Sequence, residues 1–182
     1  MFGWPHVVLF LAAKRFPTVF GKYTDWIRFQ CLAWYFFSAE SNSFIWLNAV
    51  GGFFAIHYIY ALTNYELLRL FAGNFYKRIG FAESGLLMHL AADFAVHGLP
   101  VVVASRLSLT PAKWYYWLYT GVPHATYCYA LTGGWDPKPL YGFSATEFGW
   151  SSNGVVWLAV LAGHATAGAL HPLFSFGSLN KS

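Results

Sequence analysis

The segment SGLLMHLAADFAVHGLP (84–100) sets His89, Asp93 and His97 at four-residue steps inside an otherwise apolar run. Such steps rotate by about 40° around an α-helix, so the three side chains form one slowly drifting stripe. Ionisable groups in an apolar segment of spanning length are costly and are functional candidates by default. A helix that carries them must turn the stripe toward protein. The chain is therefore constrained to a bundle in which other helices supply partners, and Asp93 can bond to a histidine one turn away and fix its tautomer.

Composition identifies the solvent. Charged residues make up 10% of the 182 and hydrophobic ones 57%, where soluble domains carry about 25% and 45–50%. So few charges cannot cover a soluble globule, and lipid or other membrane subunits must cover part of the surface. The aromatic fraction is 21%, with 9 Trp and 12 Tyr. These amphipathic rings suit a membrane–water interface and crowded protein–protein contacts. The net charge of +4 is spread over the loops. No dense basic patch with interleaved aromatics is present, so nucleic acid is not an expected partner and anionic headgroups are. Cys31 and Cys128 lie far apart inside apolar runs and form no C-x-x-C, which argues against a disulfide framework or zinc ribbon.

A spanning helix needs about 20 mostly apolar residues. Four segments qualify: 41–65, 86–104 with Asp93 inside it, 114–135 and 148–180. FQCLAWYFFSA from Phe29 is a shorter fifth candidate, re-entrant or tilted, and 7–13 reads as interfacial. GGWDPKPLYGF cannot span and reads as an ordered turn outside the membrane. The expected fold is all-α, an integral membrane helical bundle with four to six transmembrane or membrane-embedded helices. It forms one multi-pass domain over 1–182, with a basic, partly interfacial 1–28 segment and an extramembrane loop at 136–150. Small residues at helix-contact spacing, Gly163 with Ala167 and Gly168 before Pro172, permit close helix approach in lipid.

With four crossings, seven basic residues share the N-terminal side: Lys14, Arg15, Lys22, Arg28, Arg106, Lys113 and Lys181. Four lie opposite: Arg69, Lys77, Arg78 and Lys138. That bias puts the N-terminal side toward a cytoplasm- or matrix-like compartment. Lys14, Arg15 and Lys22 also precede the first acidic residue, Asp25. Such an opening resembles an organelle import sequence or a short amphipathic helix lying on a membrane. The mitochondrial inner membrane is the first expected address, with thylakoid or endoplasmic reticulum as alternatives.

Six of the seven histidines fall in or beside the spans: His57, His89, His97, His124, His164 and His171. The first reading is structural, with the stripe bonded to neighbouring helices or partner subunits. The second is bis-histidine ligation of haem b, which needs one histidine from each of two facing helices, the candidates being His57, His89, His164 and His171. A metal site or proton path is the third, although the sequence presents no metal-ligand box and no metal is expected. The fourth is a membrane enzyme acting on lipid, with His97 or His124 as general base. HYIYALT at His57 and HATYCYALT at His124 share a short internal echo.

The order HGLP, a further histidine and then TGGWDPKPLYG resembles, over less than half of the chain, the androgen-induced family of intramembrane lipid hydrolases. Those proteins pair a threonine nucleophile with a histidine. The resemblance implies His124 and the TGGW turn at Thr132 as the matching positions, with Thr63 in the place of an earlier threonine. Against an enzyme, the chain holds no G-x-S-x-G elbow, H-E-x-x-H, phosphate loop or dinucleotide fingerprint. Taken together, the sequence points to a non-catalytic accessory subunit of a larger membrane complex in an energy-transducing organelle membrane. Its partners are other membrane subunits and phospholipid. An integral-membrane enzyme is the alternative and a haem-binding subunit the third option.

Overall fold

The computed structural model describes residues 11, 15, 41–82, 85–132 and 134–179. Within its helices the side chains at 41, 124, 127, 128, 130–132, 140 and 176–179 lie outside that description. The expected interfacial 1–28 segment apart from residues 11 and 15, the short candidate span at Phe29 and the side chains of His124, Cys128 and Thr132 therefore fall outside it.

Among the described residues from 41 onward ten elements follow one another, all helical, with no strand. They are α1 (Ser41–Leu62), α2 (Glu66–Ile79), α3 (Gly85–Asp93), a π-helical turn (Phe94–Gly98), α4 (Leu99–Ala104), a 3₁₀ turn (Trp114–Trp117), α5 (Leu118–Thr132), α6 (Lys138–Tyr141), a second 3₁₀ turn (Ala145–Phe148) and α7 (Gly154–Leu179). Among the described residues three helices are long and apolar enough to cross a membrane: Asn42–Leu62, the continuous Gly85–Ala104 rod, and Gly154–Ser175. The 114–135 candidate differs from a single long helix. It begins as a 3₁₀ turn and continues as α5, whose 15 residues fall short of a span taken alone.

The largest interface joins α1 to α7. The two run antiparallel: Trp46 meets His171, Ala55 meets Gly163, and Leu62 lies beside Val155. Small residues set the distance. A Cβ added at Gly163 would come within 2.3 Å of the Ala55 backbone nitrogen, so only glycine admits this approach. In lipid, where apolar burial does not drive association, close packing of this kind carries the contact.

The Gly85–Ala104 rod also runs antiparallel to α1. Asp93 reaches Tyr60 near the end of α1, and Ala104 joins a buried cluster with Trp46 near its start. Just beyond the rod, Ser43 donates to the Thr110 carbonyl (2.7 Å) and Asn42 to the Ser108 carbonyl (2.9 Å). α5 is antiparallel to α7, because Trp117 lies against Gly168 and Thr120 against His164.

α2 is amphipathic, with Leu67, Leu68, Ala72, Gly73 and Tyr76 buried. Glu66 opens it and Lys77 and Arg78 close it, complementing the helix dipole. Gly80, at φ 75°, sits in the left-handed region just past its end, and the Phe81 N–H donates to the Tyr76 carbonyl at 3.0 Å. Glycine adopts that conformation without strain.

The 136–150 loop is ordered by its own hydrogen bonds. Ser144 and Glu147 form a capping box, Asn153 Oδ1 accepts from the Ser144 hydroxyl and the Ala145 N–H, and the Lys138 ammonium donates to Glu147. The Lys138 charge, with the Ser144 N–H, holds the Glu147 carboxyl below the usual carboxylate range. Tryptophans mark both ends of the bundle. Trp150 Nε1 donates to the Leu62 carbonyl (2.9 Å) and Trp157 Nε1 to the Trp135 carbonyl (2.7 Å). At the other end Tyr115, Tyr116 and Tyr119 pack around Trp114 and Phe44.

Candidate functional site

The rod carries Asp93 at its ninth residue, about 12 Å from its first end at 1.5 Å per residue. There it meets the last third of α1. Asp93 is buried, with 7% of its surface exposed. Its Oδ1 accepts from the Tyr60 hydroxyl (3.0 Å) and from His97 Nδ1 (2.8 Å), while Oδ2 lies 3.2 Å from His57 Nε2. His57 Nδ1 is in turn 2.7 Å from the Phe53 carbonyl. Tyr60 is 1% exposed, and its ring stands edge-on to His57.

The π-helical turn builds half of this site. The Leu99 N–H donates to the Phe94 carbonyl, five residues back. Pro100 gives the reason: it has no N–H, and its ring would meet the carbonyl of Val96 four residues earlier in a regular helix. The chain answers with a wider turn, and such turns gather at functional sites. His97 lies inside it, with its Nδ1 on Asp93. The phenyl ring of Phe94 lies over Gly98, where an added Cβ would come within 2.4 Å of it.

Of the stripe read from sequence, Asp93 is buried, while His89 and His97 are intermediate. The pairing that the spacing could not select is with His97, and across the interface with His57. Tyr60 was not among the sequence candidates. Its signal was there: His57 and Tyr60 are three apart on one helix face, in a span antiparallel to the one bearing the charge.

The other candidates are dispersed. His164 is fully buried, and its Nδ1 lies 2.8 Å from the Thr120 hydroxyl. That hydroxyl donates to the Trp117 carbonyl (2.8 Å), so it accepts from His164, which fixes the Nδ1–H tautomer. A Cβ at Gly51 would come within 2.4 Å of that nitrogen, and one at Gly121 within 3.1 Å of the His164 Cβ. His171 is 2% exposed and meets Trp46 edge-on at 5.4 Å. Both ring nitrogens of His171, and Trp46 Nε1, are buried without a hydrogen-bond partner among the described residues. Seven residues apart on α7, His164 and His171 share one face, so the two cannot approach one iron from opposite sides. The Thr63 hydroxyl is taken up by the Ile59 and Tyr60 carbonyls at the end of α1. Among the described residues no group of three or more His, Cys, Asp or Glu side chains is arranged to hold a metal ion.

In chemical terms the cluster is a carboxylate held between two imidazoles and a phenol, at a helix–helix contact within apolar spans. It can lock two helices together, and it can hold a proton. Comparison with protein-family models, with curated proteins and with solved structures finds no match, so the likeness of the HGLP and TGGW motifs to lipid hydrolases gains no support from them.

Proposed function

We propose that the chain is a four-crossing, non-catalytic subunit that packs within a larger membrane complex. The fourth crossing rests on connectivity. α1 is antiparallel both to the Gly85–Ala104 rod and to α7, so the rod ends on the side where α1 begins and α7 starts on the opposite side. The intervening 105–153 segment must return across the membrane. Its 3₁₀ turn and α5 together run about 30 Å, from four residues at about 2.0 Å and fifteen at about 1.5 Å, which matches the hydrocarbon thickness. It contains no Asp, Glu, Lys or Arg between 114 and 132.

The observation that carries the subunit reading is the rod itself. Only 17% of its apolar window is buried inside the chain. Asp93 fastens its inner face, while Leu87 (80% exposed), Val103 (66%), Leu86 (64%) and Phe94 (53%) stand outward. That flank offers neighbouring subunits, and phospholipid between them, a long apolar surface. The basic residues of the two sides favour a matrix- or cytoplasm-facing N-terminal side, and the mitochondrial inner membrane is the address proposed. Extraction of the endogenous protein in mild detergent tests the reading. A native mass many times that of the chain, with fixed partners, is the expected result. A particle of one or two protomers plus detergent would overturn it.

The π-helical turn favours a second reading, an intramembrane enzyme in which Asp93 orients His97 as general base. The same extraction separates the two, since that enzyme needs no partners.

A further inference from the structure

The hydrogen atoms available at the Asp93 cluster do not cover all of its contacts. A backbone carbonyl only accepts, so the 2.7 Å contact with Phe53 places a hydrogen on His57 Nδ1. A neutral ring so protonated presents a lone pair at Nε2. That atom faces Asp93 Oδ2 at 3.2 Å, and an ionised carboxylate oxygen also presents only lone pairs. Two acceptors do not sit at this distance in an apolar surrounding without a hydrogen between them. The other oxygen cannot supply it, because Oδ1 is engaged by Tyr60 and His97. One further proton, on Nε2 or on Oδ2, therefore accounts for the contact.

We infer that His57 and Asp93 form an intramembrane proton-binding site, with one exchangeable proton shared between Nε2 and Oδ2. With that proton the pair is neutral overall, whether written as imidazolium and carboxylate or as imidazole and carboxylic acid. Without it, a bare negative charge remains at a helix contact within lipid, where uncompensated charge is expensive. The groups facing Asp93 among the described residues are His57 and Tyr60 from α1 and His97 from its own helix. On the packed face of α2, Tyr76 is bonded to the Met88 carbonyl instead (2.6 Å). Binding is a plain protonation: one proton from water adds to the pair, and its release returns it to water. His57 is the point of exchange, its side chain 32% exposed against 5% for Asp93. It lies five residues from the end of α1, on the side of the 136–150 loop. Since this proton bridges α1 and the rod, its release leaves the Tyr60 hydroxyl as the donor to Asp93 across that contact.

Solid-state nitrogen-15 spectra of the histidine-labelled, full-length chain in phospholipid vesicles test this. At neutral pH, the His57 resonances, assigned by their loss in His57→Gln, should show both nitrogens carrying or sharing hydrogen. In Asp93→Asn the same ring should become an ordinary neutral imidazole. Should Asp93→Asn fail to insert, a proton titration of wild type against His57→Gln reads the same site: wild type takes up one more proton per chain. A neutral His57 with bare Nε2 beside an ionised Asp93 at neutral pH, or equal uptake by wild type and His57→Gln, would overturn the proposal.

Discussion

At the residue scale, Asp93 is the one carboxylate buried between two described spans, and the Tyr60 hydroxyl, His97 Nδ1 and His57 Nε2 converge on it. The two sides of this contact are unequal in what their loss removes. Tyr60→Phe deletes one donor of several, and polar contacts inside membrane proteins average about 0.6 kcal/mol, so a loss of about 1 kcal/mol or less is expected. Asp93→Ala leaves His57, His97 and Tyr60 without their shared acceptor, and breaking a buried charged network costs about 3–5 kcal/mol. Unfolding in mixed detergent micelles checks the pair of values; an Asp93→Ala as mild as Tyr60→Phe would mean the cluster does not fasten the helices. The sequence made Asp93 and His97 conspicuous because charge in an apolar run is visible without a structure. Tyr60 and Thr120 were not conspicuous, since a tyrosine or threonine in an aromatic-rich span gives no local sign of its partner. Choosing among the histidines needed the helix pairing, which residue spacing along one strip of chain does not contain.

At the element scale, the long apolar runs were legible because length and hydropathy are one-dimensional properties. The α1, rod and α7 boundaries fall within a few residues of the runs that announce them, apart from the late start of α7 at Gly154. The α5 region was harder: Trp114–Trp117 are apolar enough for a helix, yet wind as a 3₁₀ turn. The amphipathic α2 lies outside the long apolar runs, because Arg69, Lys77 and Arg78 dominate its composition and hide the buried Leu67, Leu68 and Tyr76 face. Packing of α1 on α7 rests on small residues. Gly163→Ala should push the two helices apart at Ala55 and destabilise the bundle by about 1–3 kcal/mol, the usual range for overpacking. Gly134→Ala is the control, because nothing lies within 4 Å of its added Cβ. Equal melting curves for the two variants would show that the α1–α7 contact has room for a methyl group at Gly163.

At the scale of the whole molecule, α1 is the hub: it contacts the rod, α5 and α7. The proposed four crossings would put Ser108 and Lys138 on opposite faces of the membrane. Single cysteines at those positions, in a Cys31→Ala, Cys128→Ala background, should react with an impermeant maleimide from opposite sides of sealed, oriented vesicles. Labelling from one side would leave α5 as a helix that does not cross. The wide turn at Phe94–Gly98 has a consequence of another kind. It holds one residue more than a regular turn needs, and one residue is about 100° of rotation. Deleting Ala95 would therefore remove no side chain of the cluster, and Asp93 and His97, then three apart, would still share a face; it would instead turn α4 relative to Asp93 and carry Ala104 away from Trp46. The joint fit of Asp93 and Ala104 to α1 depends on a count of residues as much as on their identities, so in descendants of this chain a change of length there would disturb it more than most changes of letter.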